Sequence, residues 1–283
     1  MGIRLIASDL DGTIIDKNYR ISNKNFLALD RIHKKQLKFV ICTGKSYAVS
    51  RKACREFKAS YGIFGNGTQI IDLKTGKEIW KSILLKEDLL FTITFAKRYG
   101  FHVHLYTDTD IITEKLEFMD LRNYIISNKE LNKTLKFNLV DDILEYVENN
   151  DLSVYSAIVS SENIPLREFQ KILSINKNID CTFINKRGKY RDNIINKDYE
   201  YINITPININ KGIALDHLLK HLKIDKKDIL AIGDNINDLE MIREAGIGVA
   251  VNEALDNIKD VADYITSTTA SDGAFAEAIN KFI

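Results

Sequence analysis

The stretch Ile-Arg-Leu-Ile-Ala-Ser-Asp-Leu-Asp-Gly-Thr, residues 3–13, starts as an apolar run and ends in two carboxylates and a glycine. A short apolar run closed by a turn is typical of a strand buried in a parallel sheet. The pattern places Asp9 and Asp11 at the carboxyl end of that strand, where sheets of this kind bind ligands. Taken alone, Asp-Gly is also a common turn dipeptide, so the rest of the chain has to decide between a turn and a site.

Apolar strands alternate with helical segments in the first and last parts of the chain, and these parts flank a central region with another pattern. This alternation predicts an α/β fold, a Rossmann-like doubly wound core with a parallel sheet. Residues 84–198 mix helices and strands in another order, which predicts an inserted α+β domain. The core is then expected in two parts, residues 1–83 and 199–283. The polar segment 186–198 is expected to be a loop or a hairpin tip.

Composition excludes several classes of partner. The 283 residues include 40 basic and 39 acidic side chains, and the resulting net charge of +1 does not favour a nucleic-acid partner. No stretch approaches the roughly 20 apolar residues of a membrane span. Three scattered cysteines suit a reducing compartment, so a cytoplasmic location is expected. No protein partner is evident.

Three further motifs add polar groups to the predicted strand ends and helix starts. They are Thr43-Gly44, Asn210-Lys211-Gly212, and Gly233-Asp234-Asn235-Ile236-Asn237-Asp238. Converging carboxylates about 4 Å apart would repel by roughly 4 kcal/mol per pair at an effective dielectric of 20. A divalent cation and one lysine would offset this, and an oxygen-rich site suits Mg²⁺. Considered singly, a helix cap at Thr43 and a solvated surface lysine at Lys211 are the simpler interpretations.

Taken in order, the four motifs resemble those of haloacid-dehalogenase-type phosphatases. The last motif is most similar to the Cof-type group (subfamily IIB), in which a large C2-type cap domain is inserted between the second and third motifs. The resemblance covers essentially the whole chain and implies an enzyme, a phosphoric monoester hydrolase that acts on a small phosphate ester. It implies that Asp9 is the nucleophile that forms an aspartyl-phosphate, and that Asp11 moves the proton.

The resemblance also implies how phosphate and metal are bound. Mg²⁺ would bind the Asp9 carboxylate, the Asp11 main-chain carbonyl and the Asp234 carboxylate, and Asp238 would support the metal shell or orient Lys211. The phosphate group would contact five residues: Leu10, Thr43, Gly44, Lys211 and Asn237. The family usually has Arg after Thr-Gly, and here Lys45 keeps the charge but loses the bidentate fork.

Several alternatives stay open at the level of sequence. Sugar phosphates are the expected substrates, with pyridoxal phosphate and flavin mononucleotide as alternatives. A sugar phosphomutase and a non-catalytic metabolite sensor on the same fold are two further hypotheses. His102 and His104 alternate on a predicted strand and share one face, for which a half-exposed sheet is a better interpretation than a metal site.

Overall fold

The structure is a computed structural model, and it describes residues 2–16, 20–108, 110–116, 136–161, 166–186 and 199–283. The chain divides into two compact units. The first comprises Met1–Lys81 and Ile209–Ile283, and the second comprises Ser82–Asn208. The segment 186–198, predicted to be a loop or a hairpin tip, lies almost wholly outside the described residues.

Strands are numbered here in chain order. They are β1 Leu5–Ser8, β2 Lys38–Cys42, β3 Tyr61–Phe64, β4 Gln69–Asp72, β5 Glu78–Lys81, β6 His102–Tyr106, β7 Asp110–Thr113, β8 Lys136–Leu139, β9 Ser156–Ser161, β10 Ile179–Lys186, β11 Tyr199–Pro206, β12 Ile229–Gly233, β13 Ile247–Ala250 and β14 Tyr264–Ile265.

The α-helices of the described residues are Asn23–Lys34, Tyr47–Glu56, Lys86–Arg98, Ile143–Asn149, Arg167–Leu173, Lys211–Leu222, Leu239–Glu244, Asp256–Lys259 and Ala274–Phe282. Three of them begin at a side-chain cap, among them Ile143–Asn149, where Asp142 accepts from the amides of Leu144 and Glu145. The Ser22 side chain accepts a hydrogen bond from the Asn25 amide, and Asn210 accepts one from the Ile213 amide. Such caps satisfy backbone donors that the first turn leaves free.

The first unit is built on an eight-stranded sheet in the order β14-β13-β12-β1-β2-β3-β4-β5. The strands from β14 to β3 run parallel, and β4 and β5 are antiparallel additions at the edge. Side chains alternate between two buried clusters, so Ile6 packs on one face of β1 and Leu5 on the other. Helices cover both faces, which confirms the predicted doubly wound α/β core.

The edge strands β4 and β5 were not predicted. They follow the turn Gly65–Gly67, where Asn66 adopts a left-handed conformation with φ 57°. Each has only four residues, which is too short for periodicity to separate a strand from a loop.

The second unit contains a six-stranded sheet in the order β10-β11-β9-β6-β7-β8. All neighbours are antiparallel except β7 and β8. Its apolar cluster joins Val103 and Leu105 of β6 to the helices Lys86–Arg98, Ile143–Asn149 and Arg167–Leu173.

The histidines of β6 lie on the opposite side from that cluster and are buried, with 5% of His102 and 1% of His104 exposed. The expectation of a half-exposed face is therefore wrong. Burial lowers the pKa of His104 to about 3, so this ring is neutral at physiological pH. His102 Nε2 lies 3.1 Å from the Thr113 hydroxyl, which gives it a partner within the sheet.

The return of the chain differs from the expected boundary at residue 199. Strand β11, Tyr199–Pro206, pairs with β9 and β10 of the second unit, and the first unit resumes only at Ile209. The reason is that Ile202 and Ile204 alternate with polar residues and bury their side chains in the apolar cluster of the second unit. An alternating strand fits an antiparallel sheet, whereas the parallel core uses continuous apolar runs.

Candidate active site

Three neighbouring parallel strands bring the motifs to one edge of the sheet. β12, β1 and β2 lie side by side with β1 in the middle. Asp9 follows β1, Thr43 follows β2 and Asp234 follows β12. The backbone continues the ladder for one more residue, because the Asp9 amide donates to Ile232 and the Thr43 amide donates to Ile63. The polar side chains are therefore fixed by the register of the sheet.

Lys211 lies at the centre of the site and is fully buried. Its Nζ lies 2.5 Å from Asp9 Oδ1 and 2.6 Å from Asp238 Oδ1. Burial alone would lower the pKa of Lys211, but the charges of Asp238 and Asp9 outweigh burial and raise it, so the ammonium stays protonated. A solvated surface lysine is thereby excluded, and removing Lys211 would leave two buried carboxylates without their cation.

Asp238 connects that lysine to the loop after β12. One carboxylate oxygen accepts from Lys211, and the other accepts from the backbone amides of Asp234 and Asn235 at 3.0 and 3.1 Å. The side chain fits because Gly233 has none: a Cβ there would lie 2.5 Å from Asp238 Cγ. Both oxygens of Asp238 are thus engaged within the protein.

Asp234 is held from the other side by the first motif. The Thr13 hydroxyl donates to Asp234 Oδ1 at 3.1 Å. Gly12 has φ +86°, and a Cβ at this position would lie 2.5 Å from Asp234 Oδ2. No role was predicted for Thr13, although it belongs to the same motif. Its hydroxyl, directly after Asp-Gly, could have indicated that it takes part in the site.

The carboxylates of Asp9, Asp234 and Asp238 offer oxygens that all lie within 4.8 Å of one another. Burial raises the pKa of Asp9 well above its usual range, and Lys211 only partly opposes it. Burial, followed by the charge of Asp238, raises the pKa of Asp234 to about 7. The cluster therefore carries more negative charge than its surroundings offset, which a divalent cation would relieve.

The donor chemistry of the cluster suits a hard cation such as Mg²⁺, because all its ligand atoms are oxygens. Since Asp238 uses both oxygens on protein donors, Asp9 and Asp234 are the side chains with an oxygen left for an ion.

A second set of contacts surrounds Asp11. Lys45 Nζ lies 2.6 Å from Asp11 Oδ1, and the Lys45 amide donates to the Thr43 hydroxyl at 3.2 Å. Lys45, the residue that departs from the family pattern, thus contacts the expected proton carrier. About a third of each side chain is exposed, so solvent screens this pair.

Asn66 forms hydrogen bonds with two further residues of the site, Asn237 and Thr43. Its Oδ1 accepts from Asn237 Nδ2 at 2.8 Å, and its amide donates to the Thr43 carbonyl. A Cβ on Gly44 would lie 2.8 Å from Asn66 Oδ1, so this loop needs glycine. Asn66 belongs to none of the four motifs, and the structure brings it into the site through its contacts with Thr43 and Asn237.

The residues of the site therefore form two hydrogen-bonded groups at one sheet edge. Leu10, which lies between Asp9 and Asp11 in the sequence, buries its side chain in the core. The first group contains Asp9, Lys211, Asp238, Asp234 and Thr13. The second contains Asp11, Lys45, Thr43, Asn66 and Asn237, with Gly44 beside Asn66.

The sequence matches the model of the haloacid dehalogenase-like hydrolases over residues 6–279, and the chain belongs to this family. It is 28% identical over 294 residues to the 5-amino-6-(5-phospho-D-ribitylamino)uracil phosphatase YcsE of Bacillus subtilis, covering 99% of this chain and 96% of the relative. It is 25% identical over 281 residues to a phosphoglycolate phosphatase of Methanothermobacter thermautotrophicus, covering 99% of each. A solved haloacid dehalogenase-like hydrolase from Bacteroides thetaiotaomicron matches with TM-score 0.82 at 25% identity, covering 99% of this chain and 100% of that one.

The family match confirms the predicted haloacid dehalogenase family. Together with the named relatives, it also confirms the predicted enzyme class, a phosphoric monoester hydrolase. Within the parts of the chain that the structure describes, no helix has both the length and the hydropathy needed to cross a membrane.

Proposed function

We propose that this protein is a Mg²⁺-dependent phosphatase that hydrolyses small phosphorylated metabolites through an aspartyl-phosphate intermediate. The observation that carries the proposal is the buried Asp9–Lys211–Asp238 contact at the tip of the central strand. It supports the proposal because the carboxylate of Asp9, the proposed nucleophile, lies 2.5 Å from a buried positive charge. Such an arrangement favours attack on a phosphoryl group, because positioning and charge stabilisation supply most of the catalysis in phosphoryl transfer.

The two carboxylates of the first motif divide the reaction. An oxygen of Asp9 forms a bond to phosphorus as the bond to the leaving oxygen breaks, and Asp11 gives its proton to that oxygen. In the second step Asp11 takes a proton from water, the water oxygen bonds to phosphorus, and the bond to Asp9 breaks. Phosphate leaves, and both side chains regain their starting state.

The remaining residues bind and orient the phosphoryl group. Lys211 and the Thr43 hydroxyl would contact its oxygens, with the backbone amides near Leu10 and Gly44 and the side chain of Asn237 completing the cradle. Mg²⁺, held by Asp9, Asp234 and the Asp11 main-chain carbonyl, would supply charge that draws the phosphate dianion into an acidic site. Asp238 would keep Lys211 and the loop of Asp234 in place.

Sugar phosphates are the substrates we expect, in line with the Cof-type resemblance. The relatives do not select one molecule, since enzymes named for a phosphoribitylaminouracil and for phosphoglycolate are 28% and 25% identical to this chain. Pyridoxal phosphate and flavin mononucleotide stay as alternatives. A cytoplasmic location stays a prediction from the three scattered cysteines.

A phosphate-release screen tests the proposal. Purified protein is incubated with sugar and sugar-alcohol phosphates, phosphoglycolate, pyridoxal phosphate and flavin mononucleotide, with Mg²⁺ or with a chelator. We expect free phosphate from at least one ester only when Mg²⁺ is present. Isomerised sugar phosphate without free phosphate would establish a mutase instead. Tight ligand binding without any turnover would establish a sensor.

A further inference from the structure

A groove of about 760 Å³ lies on the first unit at the edge of the sheet opposite the candidate active site. It is lined by Lys38, the first residue of β2, and Tyr61, the first residue of β3, whereas Thr43 follows the last residue of β2. At about 3.3 Å per residue, the two ends of this strand segment are roughly 16 Å apart. Tyr47, two residues after Lys45, also lines the groove, but no residue of the candidate active site does, so the two are distinct.

Five cationic side chains line the groove: Lys38, Arg51, Arg55, Lys58 and Lys74. Among the described residues none of the five forms an ion pair with a carboxylate. The single acidic residue of the lining, Asp72, uses Oδ1 to accept from the backbone amides of Lys74 and Thr75 at 2.9 and 3.1 Å. The positive charge of the groove is thus largely uncompensated, although the chain as a whole has a net charge of only +1.

Arg51 shows that part of this charge is held in place. Its guanidinium carbon lies 5.0 Å from the centre of the Tyr47 ring, a cation–π contact. Its Nε is buried and has no hydrogen-bond partner among the described residues. A buried donor without an acceptor is unfavourable, so a ligand that brings an acceptor to this edge of the guanidinium is favoured.

From this cavity we infer a second binding site, for a small molecule that carries two or more phosphate groups. Its volume falls in the range of small-molecule sites, and a concave surface lined by one sign of charge concentrates counter-ions. Arginine forks bind phosphate oxygens in pairs, and the lining also includes Tyr61, whose hydroxyl is a hydrogen-bond donor. The inference is independent of the proposed phosphatase activity.

Calorimetric titration of the full chain in a chelating buffer tests the site, with inorganic pyrophosphate and ATP as probes. We expect saturable binding of at least one probe. The double variant Arg51→Gln/Arg55→Gln should weaken it by about tenfold or more, since two charge-assisted contacts are lost. Lys52→Gln is the matched control: Lys52 lies on the same helix but outside the lining and pairs with Glu56 at 3.9 Å. It should bind within about twofold of the unchanged protein.

Further variants, and the comparison of the two probes, separate binding in the groove from binding in the candidate active site. Asp9→Asn alters the candidate active site and should leave groove binding unchanged. If the double arginine variant loses thermal stability, Lys38→Gln/Lys74→Gln carries the same test. Equal binding of both probes assigns recognition to the phosphates, and tighter ATP binding assigns part of it to the nucleoside. No binding of either probe, or binding that is lost in Asp9→Asn, would overturn the inference.

Discussion

At the scale of single residues, the site depends on one buried cation. Lys211 contacts Asp9 and Asp238 at once, and Asp238 passes the constraint to the backbone of the loop after β12. A buried ion pair contributes little net stability when it is complete, but it fixes the geometry of its members. Asp9, the proposed nucleophile, is thus held by Lys211, which Asp238 fixes in turn, so its position depends on two other segments of the chain.

The contact between Lys45 and Asp11 can be tested by substituting Lys45. Because its ammonium contacts Asp11, Lys45→Gln should release the expected proton carrier and lower kcat by about tenfold, which is part of the roughly 10²–10⁴-fold that general acid–base catalysis contributes. Lys45→Arg restores the charge and the residue usual in the family, so it should retain most of the activity. Steady-state kinetics on p-nitrophenyl phosphate measures both, and a Gln variant equal to the unchanged protein would contradict a role for Lys45.

The residues of the four motifs could be predicted because chemistry and order along the chain agree. Thr13 and Asn66 could not, because their contacts with Asp234 and Asn237 join residues 221 and 171 positions apart. No local pattern encodes such a pairing. The burial of His104 was missed for the same reason, since an alternating polar face does not show what covers it.

At the scale of elements, the turn after β1 positions Asp234, the carboxylate proposed to bind the metal. Gly12→Ala should impair the site, because a Cβ would lie 2.5 Å from Asp234 Oδ2 in a backbone conformation with φ +86°. Gly76→Ala is the matched control, with φ +72° and nothing within 4 Å of its Cβ. Both should lose about 1 kcal/mol of unfolding free energy from the left-handed backbone. Only Gly12→Ala should also lose activity, and equal activity in both variants would refute the steric argument.

The last helix, Ala274–Phe282, gives a prediction about pH. Glu277 accepts hydrogen bonds from Thr268, Tyr264 and Ser267, which outweigh burial and lower its pKa to about 2. A lowered carboxyl pKa contributes stability that is complete above the ordinary value of 4.5 and is lost as pH falls towards 2. Urea unfolding across this window should show a weaker pH dependence for Glu277→Gln. Parallel curves for the two proteins would contradict it.

At the scale of the whole molecule, the doubly wound core could be read from the sequence because continuous apolar strands signal a parallel sheet. The position at which the chain returns to the core could not. β11 has the alternating pattern of an antiparallel strand, and its pairing with β9 is set by tertiary contacts. The four-residue strands β4 and β5 carry too little periodicity to be detected.

The charge imbalance of the carboxylate cluster predicts how the whole protein responds to Mg²⁺. An ion that binds only the folded state stabilises it, by about 2.7 kcal/mol at a hundred times its dissociation constant. We expect Mg²⁺ to raise the Tm of the unchanged protein and to have little effect on Asp234→Asn. Calcium-free and Mg²⁺-free buffers serve as the baseline. An equal rise in both proteins would place the ion elsewhere.

We propose that Asp9 attacks phosphorus, and the variant Asp9→Asn shows whether it does. The amide keeps the size of the side chain but is a poor nucleophile, so Mg²⁺-dependent turnover of p-nitrophenyl phosphate should fall by at least about 10³-fold. Circular dichroism of the variant should match that of the unchanged protein. Turnover in the purified, folded variant within roughly tenfold of the original would show that another group carries out the attack.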